Sequence, residues 1–264
     1  MDTIVCMKQV PDTTDVKIDP KTGTLIREGV PSIINPEDKH AIETALSLKE
    51  QHGGKVTVLT MGPPQADEAL RESLAMGVDE VILLTDRAFA GADTLATSYT
   101  LGRGVQAIGK YDLIICGRQA IDGDTAQIGP QLAGYLGLPQ ITYVRKIVEV
   151  QGKKIVVERS LEDGFEKIEA KLPALITVTK DINKPRYPSI KGIVEAWRER
   201  NVKNWTLKDI NADPSQIGMT GSPTQVKRTF SPEPKGKGEV LKGNTDEVVK
   251  TLVKKLKEKN VIQR

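Results

Sequence analysis

Four short apolar runs, each cut off by a loop of turn-forming residues, constrain this chain more than any other feature. They are Thr3 to Lys8, Lys55 to Thr60, Val81 to Leu84 and Leu113 to Cys116, and each reads as a buried strand. Helical spacing fills the gaps. Asn35 caps a helix that has Pro36 at its first position, carries Ala41, Ile42, Ala45, Leu46 and Leu48, and ends at Gly53-Gly54. A second helix runs from Gln65 to Met76 and closes at Gly77, and a third starts at Asp93 or Thr94. Strand and helix alternating in this way predict an α/β fold, a Rossmann-like parallel sheet with helices on both faces.

In such a sheet, ligands collect at the loops after the strands' carboxyl ends. The most informative of these loops follows the fourth strand, in Leu113 to Pro139: Gly117 ends the strand, and apolar residues return at Ile128, Leu132 and Leu136. Asp122, Asp124 and Thr125 are helix-capping residue types, and the free N–H groups of a first turn receive phosphate. The loop reads as a nucleotide site. Asp124 as a plain cap and Gly123 as a plain turn explain the same residues equally well. Pro130 requires either an irregular first turn after Thr125 or a helix starting nearer Pro130.

Beyond residue 143 the texture changes. Earlier in the chain, Val16 to Leu25 reads as a hairpin that interrupts the first strand-to-helix crossover; here Thr142 to Arg159 reads as another, and Glu166 to Leu172 and Leu175 to Thr179 as further strands. These close a nucleotide-binding domain at 1–183. Residues 184–210 are basic and proline-bearing; 211–264 read as an extended arm from Asn211 to Lys242 and a final helix, Asn244 to Lys259. Val248, Val249, Leu252, Val253 and Leu256 form one apolar face on that helix, which either folds back or, the favoured reading, docks on another subunit.

Charge divides the chain: residues 1–183 carry 20 basic against 26 acidic side chains, and 184–264 carry 18 against 9. The basic tail lacks interleaved aromatics, which argues against nucleic acid and for an acidic protein partner or a solvated surface. Cys6 and Cys116 give neither a disulfide framework nor zinc spacing, so no metal is expected. With His40 and His52 near one helix, side-chain acid–base catalysis is not expected. No apolar stretch approaches the roughly 20 residues that span a bilayer, and no leader is evident, so a cytoplasmic protein without membrane insertion is expected.

The phosphate loop G-x-x-x-x-G-K-[ST] is absent, and Gly102, Gly104 and Gly109 fall inside or after a helix instead of forming a G-x-G-x-x-G turn. The serine-glycine loop of adenylating enzymes is also missing; Lys8-Gln9-Val10-Pro11-Asp12 stands in its place. What remains resembles the beta subunit of electron-transferring flavoproteins over nearly the whole chain. The carriers are VCMKQVPDT with VKID, INPEDKHAIETAL, LTMGPPQADEALRESLAMGVDE, CGRQAIDGDTAQIGPQLAGYLGLPQITYV and LPALITVTKDINKPRYPSIKGI. ADTLATSYTL, GDTAQIGP and RYPSIKGIVEAW resemble the electron-bifurcating group of anaerobes.

The resemblance implies an adenine-nucleotide alpha-hydrolase-like fold and an electron-carrier subunit of an NADH-dependent oxidoreductase complex. Bifurcating members hold FAD in this subunit, take hydride from NADH, and split the electrons between ferredoxin and, through the alpha-subunit FAD, a partner flavin dehydrogenase of the lactate dehydrogenase or acyl/enoyl-CoA reductase type. Non-bifurcating members hold AMP instead. Mitochondrial members carry a cysteine where Met61 stands and a more acidic loop at 122–129, which weighs against AMP here.

The implied cofactor contacts are Cys6, the stretch Asn35 to Asp38 (Asn35, Pro36, Glu37, Asp38), Met61, Gly62, Gly117 and the stretch Gln119 to Pro130, with Gln119, Ala120, Asp122, Gly123, Asp124, Thr125, Ala126, Gln127, Gly129 and Pro130 as its named contacts. Asp93, Thr94 and Thr97 are added on the flavin side, with capping and core packing as their alternative. The implied partner-recognition loop spans Pro185 to Ala196, with Ile190 as apolar anchor beside Arg186, Tyr187 and Lys191.

Overall fold

The computed structural model describes residues 1–12, 31–227, 236 and 238–262. It divides into two compact units, Met1–Lys227 and Arg228–Arg264. In chain order the elements are β1 (Thr3–Cys6), β2 (Gln9–Pro11), β3 (Ser32–Ile34), α1 (Pro36–His52), β4 (Val56–Met61), α2 (Asp67–Met76), β5 (Glu80–Leu84), α3 (Thr94–Ile108), β6 (Leu113–Gly117), α4 (Ile128–Leu136), β7 (Gln140–Gln151), β8 (Lys154–Ser160), β9 (Phe165–Lys171), β10 (Ala174–Val178), α5 (Ile190–Arg198), β11 (Lys203–Trp205) and, in the second unit, α6 (Thr245–Glu258).

Nine strands form one sheet in the order β11-β5-β4-β1-β6-β10-β7-β8-β9, parallel from β11 through β7. β1, β6 and β10 are buried at every position, which is why they read as unbroken apolar runs. Alternate residues feed two cores. Val5 and Ile115 pack with α1 and α2, whereas Ile4, Cys6 and Ile114 pack with α3 and α4. The sheet is covered on both faces. β7 runs parallel to β10, shifts register, and then pairs antiparallel with β8. The β9 edge carries Glu166, Lys167, Glu169 and Lys171, charges that discourage pairing with another chain.

Several expectations need correction. Gln9 to Pro11, expected as loop, is β2 and pairs antiparallel with β3; only three residues long, both strands give too little pattern to read. The expected hairpin over 16–25 lies outside the described residues. α4 starts at Ile128 with Gln127 before it, so Asp122, Asp124 and Thr125 do not cap it, and Pro130 falls in the first turn, where an N–H has no intrahelical acceptor. The largest difference concerns the tail. The first unit extends past 183 to Lys227: β11 joins the sheet edge and Ile210 is buried, and the arm expected from Asn211 is packed over its first part, where Ala212 and Ile217 are buried. Arg103 on α3 holds this segment by donating to the carbonyls of Ile210 at 3.2 Å and Asn211 at 2.8 Å, and Asp213 N donates to Tyr99 Oη at 2.9 Å. Isolated apolar residues held by side-chain-to-backbone bonds carry no periodicity.

In the second unit, α6 is capped by Asn244, which accepts from Glu247 N at 2.9 Å. None of its residues is buried, and Val249, Leu252 and Val253 are exposed.

Candidate functional site

The carboxyl edge around β1 and β6 gathers most of the implied cofactor residues. Cys6 and Cys116 are register partners there, both buried and unbridged. Its hydrogen bond with Cys6, and then burial, push the Cys116 thiol well above the usual range, so it is an inert wall rather than a nucleophile. Among the described residues no cluster of His, Cys, Asp and Glu could hold a metal.

α1 enters this edge with its amino end. Asn35 precedes Pro36 as expected, but its side chain makes no cap; it reaches across to the loop after β6, with Nδ2 donating to Gln119 O at 2.8 Å and Oδ1 accepting from Ile121 N at 3.1 Å. Glu37 Oε2 accepts from Gln119 N at 2.9 Å while its Oε1 pairs with Arg118 Nη2 at 3.0 Å. Asp38, buried, accepts from Lys8 N at 2.8 Å and from Gly117 N at 3.0 Å. Gly117 is required by this approach, since a β-carbon there would lie 2.3 Å from Asp38 Oδ1.

The loop itself is held in a conformation few residues favour. Asp124 and Ala126 have φ of 48° and 51°, in the left-handed region. Asp124 N donates to Ala120 O at 2.9 Å, and Asp124 Oδ1 accepts from Gln119 Nε2 at 2.7 Å. Lys8 Nζ spans from the end of β1 to Asp122, at 2.6 and 2.7 Å to its two oxygens. Gly123 and Thr125 are exposed, and among the described residues no atom lies within 4 Å of where a β-carbon on Gly123 would stand. Strain of this kind is concentrated at ligand clamps.

Two helix starts flank the loop, and they differ. α3 is capped: Asp93 Oδ1 accepts from Leu95 N and Ala96 N, both at 3.0 Å, and Oδ2 from Thr224 N at 3.1 Å and Oγ1 at 2.8 Å. That carboxylate is consumed by the protein, which is the capping alternative for Asp93. α4 has no side-chain cap, and the N–H groups of its first turn have no intrahelical partner. Thr94 Oγ1 donates to Gln127 Oε1 at 3.1 Å and ties the two starts together; Thr97 is half-buried one turn on.

The structure therefore brings together Cys6, Asn35, Pro36, Asp38, Gly117, Gln119, Ala120 and the 122–130 stretch, with Thr94 alongside. Met61 ends β4 on the same edge, next to β1, and Gly62, just past it, donates its N–H to Leu84 O at 3.1 Å. Sequence reasoning missed Lys8, Arg118 and Thr224 as residues of this edge. Thr224 reaches Asp93 across 131 residues with no local signal. Tyr143 was also missed: its φ is 58°, its N–H donates to Thr177 Oγ1 at 3.1 Å, and the Arg118 guanidinium lies 5.8 Å from its ring centre.

The donor set fits a phosphate-bearing ligand. Uncapped α4 amides and the Lys8 ammonium suit phosphate, and Gly123 leaves room for close backbone approach. The acidic residues are largely accounted for, Asp122 by Lys8 and Glu37 by Arg118.

The expected partner loop lies elsewhere. Ile190 begins α5, capped by Ser189, and is 84% exposed; Tyr187 is 94% exposed. With Ile193, Val194 and Trp197 they form an exposed apolar cluster, while Lys191 is free at its edge apart from a long contact with Glu195. Arg186 differs from expectation: its guanidinium is turned inward onto Glu43 and Glu50.

Residues 22–209 match the family described as Electron transfer flavoprotein domain. The chain is 56% identical, over 99% of its length and the whole of the relative, to the electron transfer flavoprotein subunit beta of Thermoanaerobacterium thermosaccharolyticum. It is 56% identical over the same shares to the caffeyl-CoA reductase-Etf complex subunit CarD of Acetobacterium woodii. To the acryloyl-CoA reductase electron transfer subunit gamma of Anaerotignum propionicum it is 45% identical, over 98% of each chain.

Proposed function

The chain belongs to the electron transfer flavoprotein family as a beta subunit, and from that premise we propose that it holds FAD at the β1/β6 edge, accepts reducing equivalents from NADH, and bifurcates them. Its partners are the alpha subunit, with its own FAD, a flavin dehydrogenase, and ferredoxin. The observation that carries the reading is the pairing of an uncapped helix start at α4 with a strained, open loop at Gly123 and a lysine, Lys8, poised beside it. The relatives named for caffeyl-CoA and acryloyl-CoA reductase systems of anaerobes favour the bifurcating group over AMP-holding members.

When bound, FAD supplies two-electron acceptance and one-electron release. This chain's residues do the holding: α4 amides and Lys8 bind phosphate, Asn35 and Glu37 orient the loop, and buried Cys6 and Cys116 exclude water from the floor. The exposed cluster around Ile190 meets the dehydrogenase.

Flavin counting tests the reading. Purified alpha–beta complex should contain two FAD per dimer, with both bleached by NADH. One FAD plus AMP released on denaturation would replace this reading with a structural-nucleotide role.

A further inference from the structure

Asp38 is a buried carboxylate with no basic side chain among the described residues paired to it: the Lys8 ammonium is on Asp122 and the Arg118 guanidinium on Glu37. Its oxygens instead take the amides of Lys8 and Gly117, which stand just past β1 and at the last position of β6. Burying such a group is costly, and an apolar residue in its place would leave two amides unpaired. The neighbouring side chains of the same turn also bond backbone of the loop after β6: Asn35 holds Gln119 O and Ile121 N, and Glu37 holds Gln119 N. The first turn of α1 thus grips the root of the loop.

We propose that Asp38 is the positioning residue of the nucleotide loop, fixing the spacing of the two strand exits and so the pose in which residues 118–127 meet the ligand. This rests on the nucleotide reading above, and it reassigns Asp38 from ligand contact to support. As a carboxylate it accepts both amides; protonated, it points a hydroxyl at a donor and loses one bond. Burial pushes its pKa up to about 7, against the pull of the Lys8, Asn35 and Gly117 hydrogen bonds, and Glu37 adds to the rise. Glu37 is the charged group acting on it, and the Cys116 thiol feels its charge; the Lys8 ammonium is on Asp122 and the Arg118 guanidinium on Glu37. Loop pose, and with it nucleotide affinity, should therefore titrate near neutrality.

The test uses the full chain in its alpha–beta complex, stripped of nucleotide, with FAD and AMP as titrants in calorimetry from pH 5.5 to 8.5. Wild type should bind about tenfold more tightly at the alkaline end, the effect of one charge-assisted hydrogen bond. Asp38→Asn should stay at the acid-end affinity throughout. Without nucleotide, amide exchange over 113–121 should be faster in Asp38→Asn, whereas Phe165→Ala, a change at an exposed residue of the β9 edge, should alter neither readout there. An Asp38→Asn protein that keeps the wild-type pH profile, or its exchange rates, overturns the positioning role. If wild type binds neither nucleotide, the nucleotide reading is what fails, and the exchange comparison still decides whether Asp38 holds the loop.

Discussion

Arg186 docks on Glu43 through two parallel bonds, Nε to Oε2 at 2.8 Å and Nη2 to Oε1 at 2.9 Å, and its backbone N–H gives Oε2 a third at 3.0 Å. Its Nη1 reaches Glu50 at 2.6 Å. The segment leading into α5 is thereby fixed to the outer face of α1. A bidentate guanidinium–carboxylate pair on a buried glutamate exceeds an ordinary surface pair. Arg186→Ala should cost about 1–3 kcal/mol and leave Glu43 buried without its cation. Burial pushes the Glu43 carboxyl up, but the Arg186 bonds and charge outweigh it and hold the group below the usual carboxylate range. A depressed acid contributes stability above its unfolded pKa and loses it as pH falls through the folded value. Acid unfolding curves of wild type and Glu43→Gln should therefore converge below the usual carboxylate range; parallel curves would show that Arg186 contributes nothing there.

Ile190 offers a separable test of partner docking. It is 84% exposed at the start of a short helix that ends in the Arg71–Trp197 contact, so charge there disturbs little inside. Ile190→Asp should leave flavin content and melting temperature unchanged while slowing electron delivery to the dehydrogenase by about tenfold or more, the loss of an interface anchor. Flavin loss in that variant would place the residue in the cofactor site instead.

The sequence reveals the frame of this fold because its central strands are buried on both faces and its first four helices end in glycines; local pattern alone carries both. It reveals the edge where the ligand sits for the same reason, as strand ends and helix starts are visible. Which atom does what is a different matter. Asn35 looks like a helix cap and Asp124 like another, yet Asn35 bonds the loop after β6, and Asp124 precedes α4 by four residues with a left-handed backbone. A capping residue type is defined by its neighbours in sequence, but its hydrogen bond is chosen by whatever the fold brings within reach. The Thr224 bond to Asp93 and the burial of Ile217 arise the same way.

Gly102 on α3 lies against Tyr135 on α4, where an added β-carbon would come within 2.2 Å of the ring. Tyr99 packs edge-on to the same ring at 5.3 Å. The close approach of the two helices sets the separation of their amino ends, which the Thr94–Gln127 bond spans. Gly102→Ala should destabilise by about 1–3 kcal/mol through overpacking and also weaken nucleotide binding. Tyr135→Leu in the same chain should recover most of the stability, measurable by denaturant midpoint. Failure of that second change to rescue would locate the strain elsewhere.

Stability and loop positioning pull Asp38 in opposite directions, which makes its pH dependence diagnostic. Its folded pKa of about 7 lies above its ordinary value of 3.8, mainly through burial. A raised acid stabilises the fold fully below the unfolded pKa and loses that contribution as pH climbs through the folded one. The shift corresponds to a loss on the order of 4 kcal/mol across that window. Asp38→Asn has no such slope, though its amide faces a backbone donor and costs about 1–3 kcal/mol at every pH. The variant should be the less stable protein near pH 4 and gain on wild type steadily up to pH 8 in denaturant titrations. A constant difference across that range would mean that Asp38 stays ionised throughout, held so by the amides of Lys8 and Gly117. Burial of an unpaired carboxylate at a cost to stability is expected only where its two acceptor oxygens are needed. Here they join β1 to β6 directly beneath the loop.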